Sequence, residues 1–268
     1  MIDKELQAQL RAKYNPDGSA LRKSQLIMLD ILKSVDRICT KYKIEYWLSS
    51  GTLLGAVRHG GFIPWDDDLD IEILYSDKKR FIEACQKELP DNFVVQCHET
   101  DNSYCVNILK IRDRNSRLTE LRTWNGNEYE VNYKYNGYFI DIFTEEYSTK
   151  FLLKLSRIPI RVISIAQYKW KMSSFMLDFI YKMNEMIYFV LRLISKFVSN
   201  RKYLYHSYGS WFISRRLKTD IFPTKKILFE GDYFSVPNNT HSYLERVYGD
   251  YLELPKEVNR HPSHAVSK

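Results

Sequence analysis

Between Ser19 and Tyr42 the apolar residues Leu21, Met28, Leu29, Leu32, Val35 and Ile38 recur at helical spacing, which predicts an amphipathic helix. "KIEYWLSSG" follows as a short β-prone run closed by a Ser-Ser-Gly turn. "TLLGAVR" reads as a short helix with Ser50 or Thr52 placed to cap it. Two glycines and a proline in "HGGFIP" interrupt regular structure. Alternation resumes at Asp68 and predicts a strand to Leu74. A helix over 77–89 and strands over 93–97, 106–113 and 137–143 complete this part. Helices and strands mixed in this way predict an α+β domain.

Near residue 150 the pattern changes. Residues 151–220 are apolar with Lys or Arg every few positions and read as two or three helices. No run reaches the roughly 18–20 uncharged apolar residues that span a bilayer. "FEGDYFSVPNNTHSYLERVYGDYLELP" reads as a hairpin, then a helix capped near Asn239 or Thr240 and stopped at Gly249. The expected division is a core over 1–150, a basic helical segment over 151–220, and a C-terminal hairpin and helix over 221–268 that packs back on the core.

Charge sharpens that division. Residues 1–150 carry 21 Lys+Arg against 24 Asp+Glu, residues 151–230 carry 15 against 4, and residues 231–268 carry 4 against 5. The excess therefore belongs to one segment. It fits either an anionic membrane surface, met by 151–200 as amphipathic helices, or a lobe whose Lys and Arg reach to water. The N-terminal "MIDKELQAQLRAKY" lacks the apolar stretch of a secretory signal. Cys39, Cys85, Cys97 and Cys105 have no metal-ligand spacing, so they read as reduced thiols in a cytoplasmic protein with no zinc site.

The densest chemistry lies in "GTLLGAVRHGGFIPWDDDLDIEIL", residues 51–74. Residues two apart on a strand share a face, so Asp68, Asp70 and Glu72 line one side and Leu69, Ile71 and Ile73 the other. Aligned carboxylates raise one another's pKa or require a counter-charge. Oxygen ligands favour Mg²⁺ or Mn²⁺. A solvated acidic edge is the plain alternative. Against it stand Ser49, Ser50, Gly51 and Thr52, whose hydroxyls and backbone N–H groups make a phosphate cradle at a helix N-terminus. Arg58 offers positive charge nearby, and Asp141 interrupts the apolar strand "GYFIDIF". Together these describe metal-assisted phosphoryl chemistry.

A G-[ST] turn, an acidic strand and a later third Asp resemble the nucleotidyltransferase superfamily, with its polymerase-β-type mixed sheet flanked by helices. More narrowly, "SGTLLGAVRHGGFIPWDDDLDI" resembles the signature of the LicD phosphocholine transferases, which are related to the fukutin family. "YFIDIF" and "YLERVYGDY" resemble its later blocks, and the likeness covers roughly residues 20–262. The Cys-rich zinc element of some fukutin-type relatives has no counterpart here.

The resemblance implies transfer of phosphocholine, or another phospho-alcohol, from a CDP-alcohol such as CDP-choline to a sugar hydroxyl, with release of CMP. The acceptor would be a lipid-linked glycan or teichoic acid precursor at the inner face of the cell membrane. Asp68, Asp70 and Asp141 match the metal-binding carboxylates, and Asp141 is placed to help deprotonate the acceptor. Asp66 and Asp67 belong to the motif without direct ligation. Lys110 and Arg112, at i and i+2 on one strand, would add positive charge or form an exposed basic edge. Trp47, Trp65 and Tyr46 raise a choline-cage reading against ordinary core packing. With no recognisable RNA-binding module, no nucleic acid is expected. Transfer of a nucleotide from an NTP is the alternative.

Overall fold

The computed structural model describes residues 2–124, 126–131 and 133–261. A helix that the periodicity left unannounced, α1 (Lys4–Tyr14), precedes α2 (Ala20–Tyr42). Ser19 caps α2 by accepting from the Arg22 N–H, and Lys43 ends it in the left-handed region, φ 53°. Then come β1 (Tyr46–Leu48), α3 (Ser50–His59), β2 (Asp70–Leu74) and α4 (Lys78–Glu88). They are followed by β3 (Phe93–Gln96), β4 (Leu109–Asp113), β5 (Glu120–Trp124), β6 (Asn127–Val131) and β7 (Phe139–Glu146). After these lie α5 (Lys150–Ser164), α6 (Ser174–Val198), β8 (Tyr203–His206), β9 (Arg215–Leu217) and α7 (Lys218–Ile221). The chain closes with β10 (Lys225–Phe229), β11 (Asp232–Val236) and α8 (Thr240–Tyr248).

The main sheet runs β1-β2-β7-β4-β3, with β8 and β9 continuing from the far half of β7. Among the described residues only β2 and β7 pair in parallel, so the sheet is mixed and the α+β expectation holds. On one face Ile71, Ile73, Ile111, Ile140 and Ile142 pack against Met28, Leu32 and Val35 of α2 and Phe81 of α4. This apolar layer fixes the strand register, and with it the side to which every acidic residue points.

Two expectations shift. The acidic strand begins at Asp70 rather than Asp68, so residues 66–69 lie in an irregular run into it. The helical segment ends at Val198, because residues 203–206 and 215–217 are strands of the main sheet. A short pattern such as "YLYH" gives a reader of periodicity little to separate strand from helix. The C-terminal hairpin and helix are as read: Asn239 Oδ1 accepts from the Ser242 N–H, and Gly249 stops α8.

Candidate active site

Three hydrogen bonds bring the acidic run and the third aspartate together. The Asp70 N–H donates to Thr52 Oγ1 at 2.8 Å, the Ser49 N–H to the Asp70 carbonyl at 3.1 Å, and the Asp141 N–H to the Leu69 carbonyl at 2.8 Å. Asp70 and Asp141 are direct neighbours across the parallel β2–β7 pair. Upstream, Gln25 of α2 is fully buried, and its Nε2 donates to the Asp66 carbonyl at 2.9 Å. A helix side chain thus sets the path of the loop that carries the acids.

The electrostatics show which carboxylates share the site. Burial, then Asp68, Asp141 and Asp66, push the Asp70 carboxyl well above its ordinary value. Burial, then Asp68 and Asp67, do the same to Asp66, which also hydrogen-bonds Asp68. Asp66, Asp68, Asp70 and Asp141 therefore form one group of mutually opposed carboxylates. Asp66 is the member to which the strand argument gave no direct ligation, since it lies before the strand begins at Asp70. Its carboxylate rests against Gly51, where a Cβ would stand 2.7 Å from Oδ2. Glycine at the start of α3 is what admits it.

An all-oxygen donor set in which burial and neighbouring carboxylates push Asp66 and Asp70 up fits a hard divalent cation such as Mg²⁺ or Mn²⁺. Lys110 answers part of the charge. Its Nζ lies 2.7 Å from Asp141 Oδ1, close enough for an ion pair though not aligned as a hydrogen bond, and 3.1 Å from the centre of the Phe139 ring.

Other expected residues are placed differently. Neither Ser50 nor Thr52 caps α3; Ser49 is the N-cap residue and makes no side-chain cap bond. Ser50 adopts a left-handed φ of 47°, and the buried Ser49 Oγ has no hydrogen-bond partner. The helix start expected to receive phosphate faces the Asp66 carboxylate. Arg58 is buried and its Nη1 donates to the carbonyls of Tyr251 and Glu253 at 2.9 and 3.0 Å, tying the C-terminal segment to α3. Burial lowers its pKa to about 10, against the pull of Tyr248 and Asp66. Trp65 is a core residue, edge-on to Tyr14 and His59, with Arg260 over its ring. Arg112 is fully buried, ion-paired with Glu120 and donating to the Gly137 carbonyl at 2.8 Å, so it is no exposed basic edge. Tyr46 and Trp47 are buried as well.

Glu72 does not join the aspartates. It accepts from Trp47 Nε1 at 2.6 Å, from the Tyr243 hydroxyl at 2.9 Å and from Arg216 at 3.2 Å. Burial alone would raise its pKa, but Arg216, His206 and these hydrogen bonds hold it below the ordinary value. Glu145 and His206 sit beside it, and the three present ligand atoms within 4.8 Å of one another. Burial and Glu72 push the Glu145 carboxyl well up, while burial lowers His206 to about 4. The Arg216 guanidinium already provides the positive charge that a cation would bring there.

Tyr248, near the end of α8, was not singled out by sequence. Its phenol is pushed up by partial burial and then by Asp70, Asp66 and Asp68, so it lies near the aspartate group although 43% of the residue is exposed. Its signal lay in "YLERVYGDY", where nothing local distinguishes Tyr248 from its aromatic neighbours.

Residues 43–169 match the family described as LicD/FKTN/FKRP, nucleotidyltransferase domain. The chain is 29% identical over 266 residues to lipopolysaccharide cholinephosphotransferase LicD of Haemophilus influenzae, a match covering 91% of this chain and 96% of that protein. It is 40% identical over 58 residues to ribitol 5-phosphate transferase FKRP of mouse and of human, 22% of this chain and 10% of each relative.

Proposed function

As a transferase belonging to the LicD/FKTN/FKRP family through residues 43–169, this chain, we propose, moves phosphocholine from CDP-choline to a hydroxyl of a cell-surface glycan precursor. CMP is the other product. The observation that carries the reading is the group of four opposed carboxylates, Asp66, Asp68, Asp70 and Asp141, at the head of the parallel β2–β7 pair. Full-length likeness to a cholinephosphotransferase supplies the choice of alcohol.

In this reading Asp68, Asp70 and Asp141 hold Mg²⁺ or Mn²⁺, which when bound neutralises charge on the pyrophosphate and on the departing CMP. Asp66, seated on Gly51, fixes the geometry of its neighbours. Lys110 orients Asp141, and Asp141 receives the proton of the acceptor hydroxyl as its oxygen bonds to the phosphorus of phosphocholine. The bond from that phosphorus to the CMP phosphate oxygen breaks, and CMP leaves. Ser50, Gly51 and Thr52 remain the backbone nearest the phosphates, whereas Arg58, Trp65 and Arg112 support the site from within the fold.

The test is incubation with Mg²⁺, a glycan precursor and either CDP-choline or the four NTPs. CMP release from CDP-choline, with phosphocholine joined to the acceptor, is expected. Pyrophosphate release from an NTP, without CMP release from CDP-choline, overturns the reading in favour of nucleotide transfer.

A further inference from the structure

We infer that the outer face of the α5–α6 hairpin docks flat on an anionic phospholipid bilayer and so brings the catalytic sheet to a membrane-borne acceptor. The docking itself is independent of the phosphocholine reading; only the delivery of an acceptor rests on it.

Helix α6 packs on the domain through a narrow stripe of Leu177, Tyr181, Asn184, Tyr188, Leu191 and Ser195, spaced alternately four and three apart. At about 100° per residue, Phe175, Phe179, Met186, Leu193 and Phe197 stand on the opposite side. There an ordinary surface helix is polar. Phe175 is 77% exposed and Phe197 89%, so neither is covered by the fold. Helix α5 repeats the arrangement: Phe151, Leu155, Ile158 and Val162 form an exposed apolar stripe over its whole length. Two neighbouring helices that turn apolar side chains outward make a patch far beyond what isolated surface residues produce.

Charge chooses the occupant. Residues 150–202 hold eleven Lys and Arg and two acidic residues, Asp178 and Glu185. Both acids are engaged: Asp178 accepts from Lys182 at 2.7 Å and lies 3.0 Å from His98 Nε2, and Glu185 accepts from Asn107 at 3.0 Å. The hairpin thus joins an apolar outer face to a basic excess, even with Lys182 paired to Asp178 and Arg192 to Glu146. A second copy of the chain would set two such cationic faces against each other, whereas an anionic lipid surface complements both characters at once. No helix among the described residues is long and apolar enough to cross a membrane, which leaves α6 lying along the interface.

The hairpin is well placed to deliver an acceptor. It is inserted between β7, which carries Asp141, and β8, which pairs with the end of the same strand. An apolar groove of ≈ 430 Å³ between the hairpin and residues 209–212 is lined by Ile163, Tyr181, Trp211 and Phe212. Phe212 in turn packs on Phe143 at 5.9 Å, and Phe143 follows Asp141 by two residues on the same sheet face.

The experiment is flotation of the full chain with vesicles of phosphatidylcholine alone or of equimolar phosphatidylcholine and phosphatidylglycerol. Binding to the second and not the first, weakened by salt, is the expected result. The triple variant Phe179→Ser, Met186→Ser, Phe197→Ser should bind at least about tenfold more weakly, because it removes apolar area from the interface. Its unchanged thermal midpoint would show that the fold is intact. Lys182→Glu with Lys196→Glu should lose binding to anionic vesicles without touching the apolar stripe. Equal binding to both vesicles overturns the charge argument. A dimer in solution that the triple variant makes monomeric, with no vesicle binding by the parent, overturns the inference in favour of a second copy. CMP release in detergent-free solution, assayed alongside, keeps failure of docking distinct from failure of the proposed reaction.

Discussion

Asp70 and Glu72 are two residues apart on one strand and point to the same face, yet their surroundings are opposite in design. Asp70 is buried and faces Asp68, Asp141 and Asp66, with the Lys110 cation opposing them, and its pKa rises. Glu72 faces Trp47, Tyr243 and Arg216, and its pKa falls. Glu72 itself has donors for both of its carboxylate oxygens, while its neighbour Glu145 is pushed up by burial and by Glu72. Lys110 answers part of the charge of the aspartates, and the repulsion that remains costs stability that a bound cation would restore. A fold retains such a conflict where the groups serve a ligand, and settles it where they serve packing.

The largest effect is expected on the conflicted side. Asp70→Asn should lower CMP release roughly a thousandfold or more, since it removes both charge and a cation ligand. Without added metal its thermal midpoint should equal or exceed that of the parent, because one opposed charge has gone. A variant that keeps full activity, or that unfolds, would break the contrast between the two groups.

Glu72→Ala should behave the other way. It leaves Arg216, 6% exposed, without its ion-pair partner. Breaking a buried pair from one side costs about 3–5 kcal/mol, to be read from urea unfolding. Activity per folded molecule should hardly change. A loss of turnover with unaltered stability would place Glu72 in the site after all.

Much of this was legible in the sequence because period-two alternation is a strict rule inside a strand. It put Asp70 on the polar face, Ile71 and Ile73 on the core, and Lys110 with Arg112 on one side of β4. It failed where the strand had not begun. Asp66 enters the site through an irregular run that Gln25 holds from a distant helix, and no local pattern encodes that contact. Burial was the second blind spot. Arg58, Trp65 and Arg112 are the residue types that bind phosphate or choline, and only the packing shows that each is consumed inside the fold. The strands β8 and β9 were hidden for a third reason: they are three or four residues long and follow an uninterrupted helical pattern.

The next effect concerns pH. His206 is held near pKa 4 by burial, so between about 4 and 6.5 the unfolded chain binds a proton that the folded chain does not. Its contribution is therefore complete above 6.5 and declines as pH falls through that window. The raised carboxyls of Glu145, Asp66 and Asp70 act in the opposite sense, losing stability as pH rises above the ordinary carboxylate range. Comparison with His206→Gln isolates the histidine. The stability difference between parent and variant should change by up to about 1.4 kcal/mol per pH unit across that window. A difference independent of pH would show that His206 titrates normally.

The smallest effect tests how Glu72 is satisfied. Trp47 is its partner across the β1–β2 ladder, and the indole N–H donates to Oε2 while the ring packs edge-on against Phe222. Trp47→Phe keeps an aromatic ring but removes the donor, so Oε2 loses a charge-assisted hydrogen bond in a site that water does not reach. The expected cost is about 1.5–3 kcal/mol in urea unfolding, less than that of Glu72→Ala because Arg216 and Tyr243 remain in place. The same substitution should leave the cation dependence of CMP release unchanged, since Trp47 has no part in the aspartate group. A shift in that dependence would show that the two acidic groups on this face communicate, and that the line between fold and function does not run between residues 70 and 72.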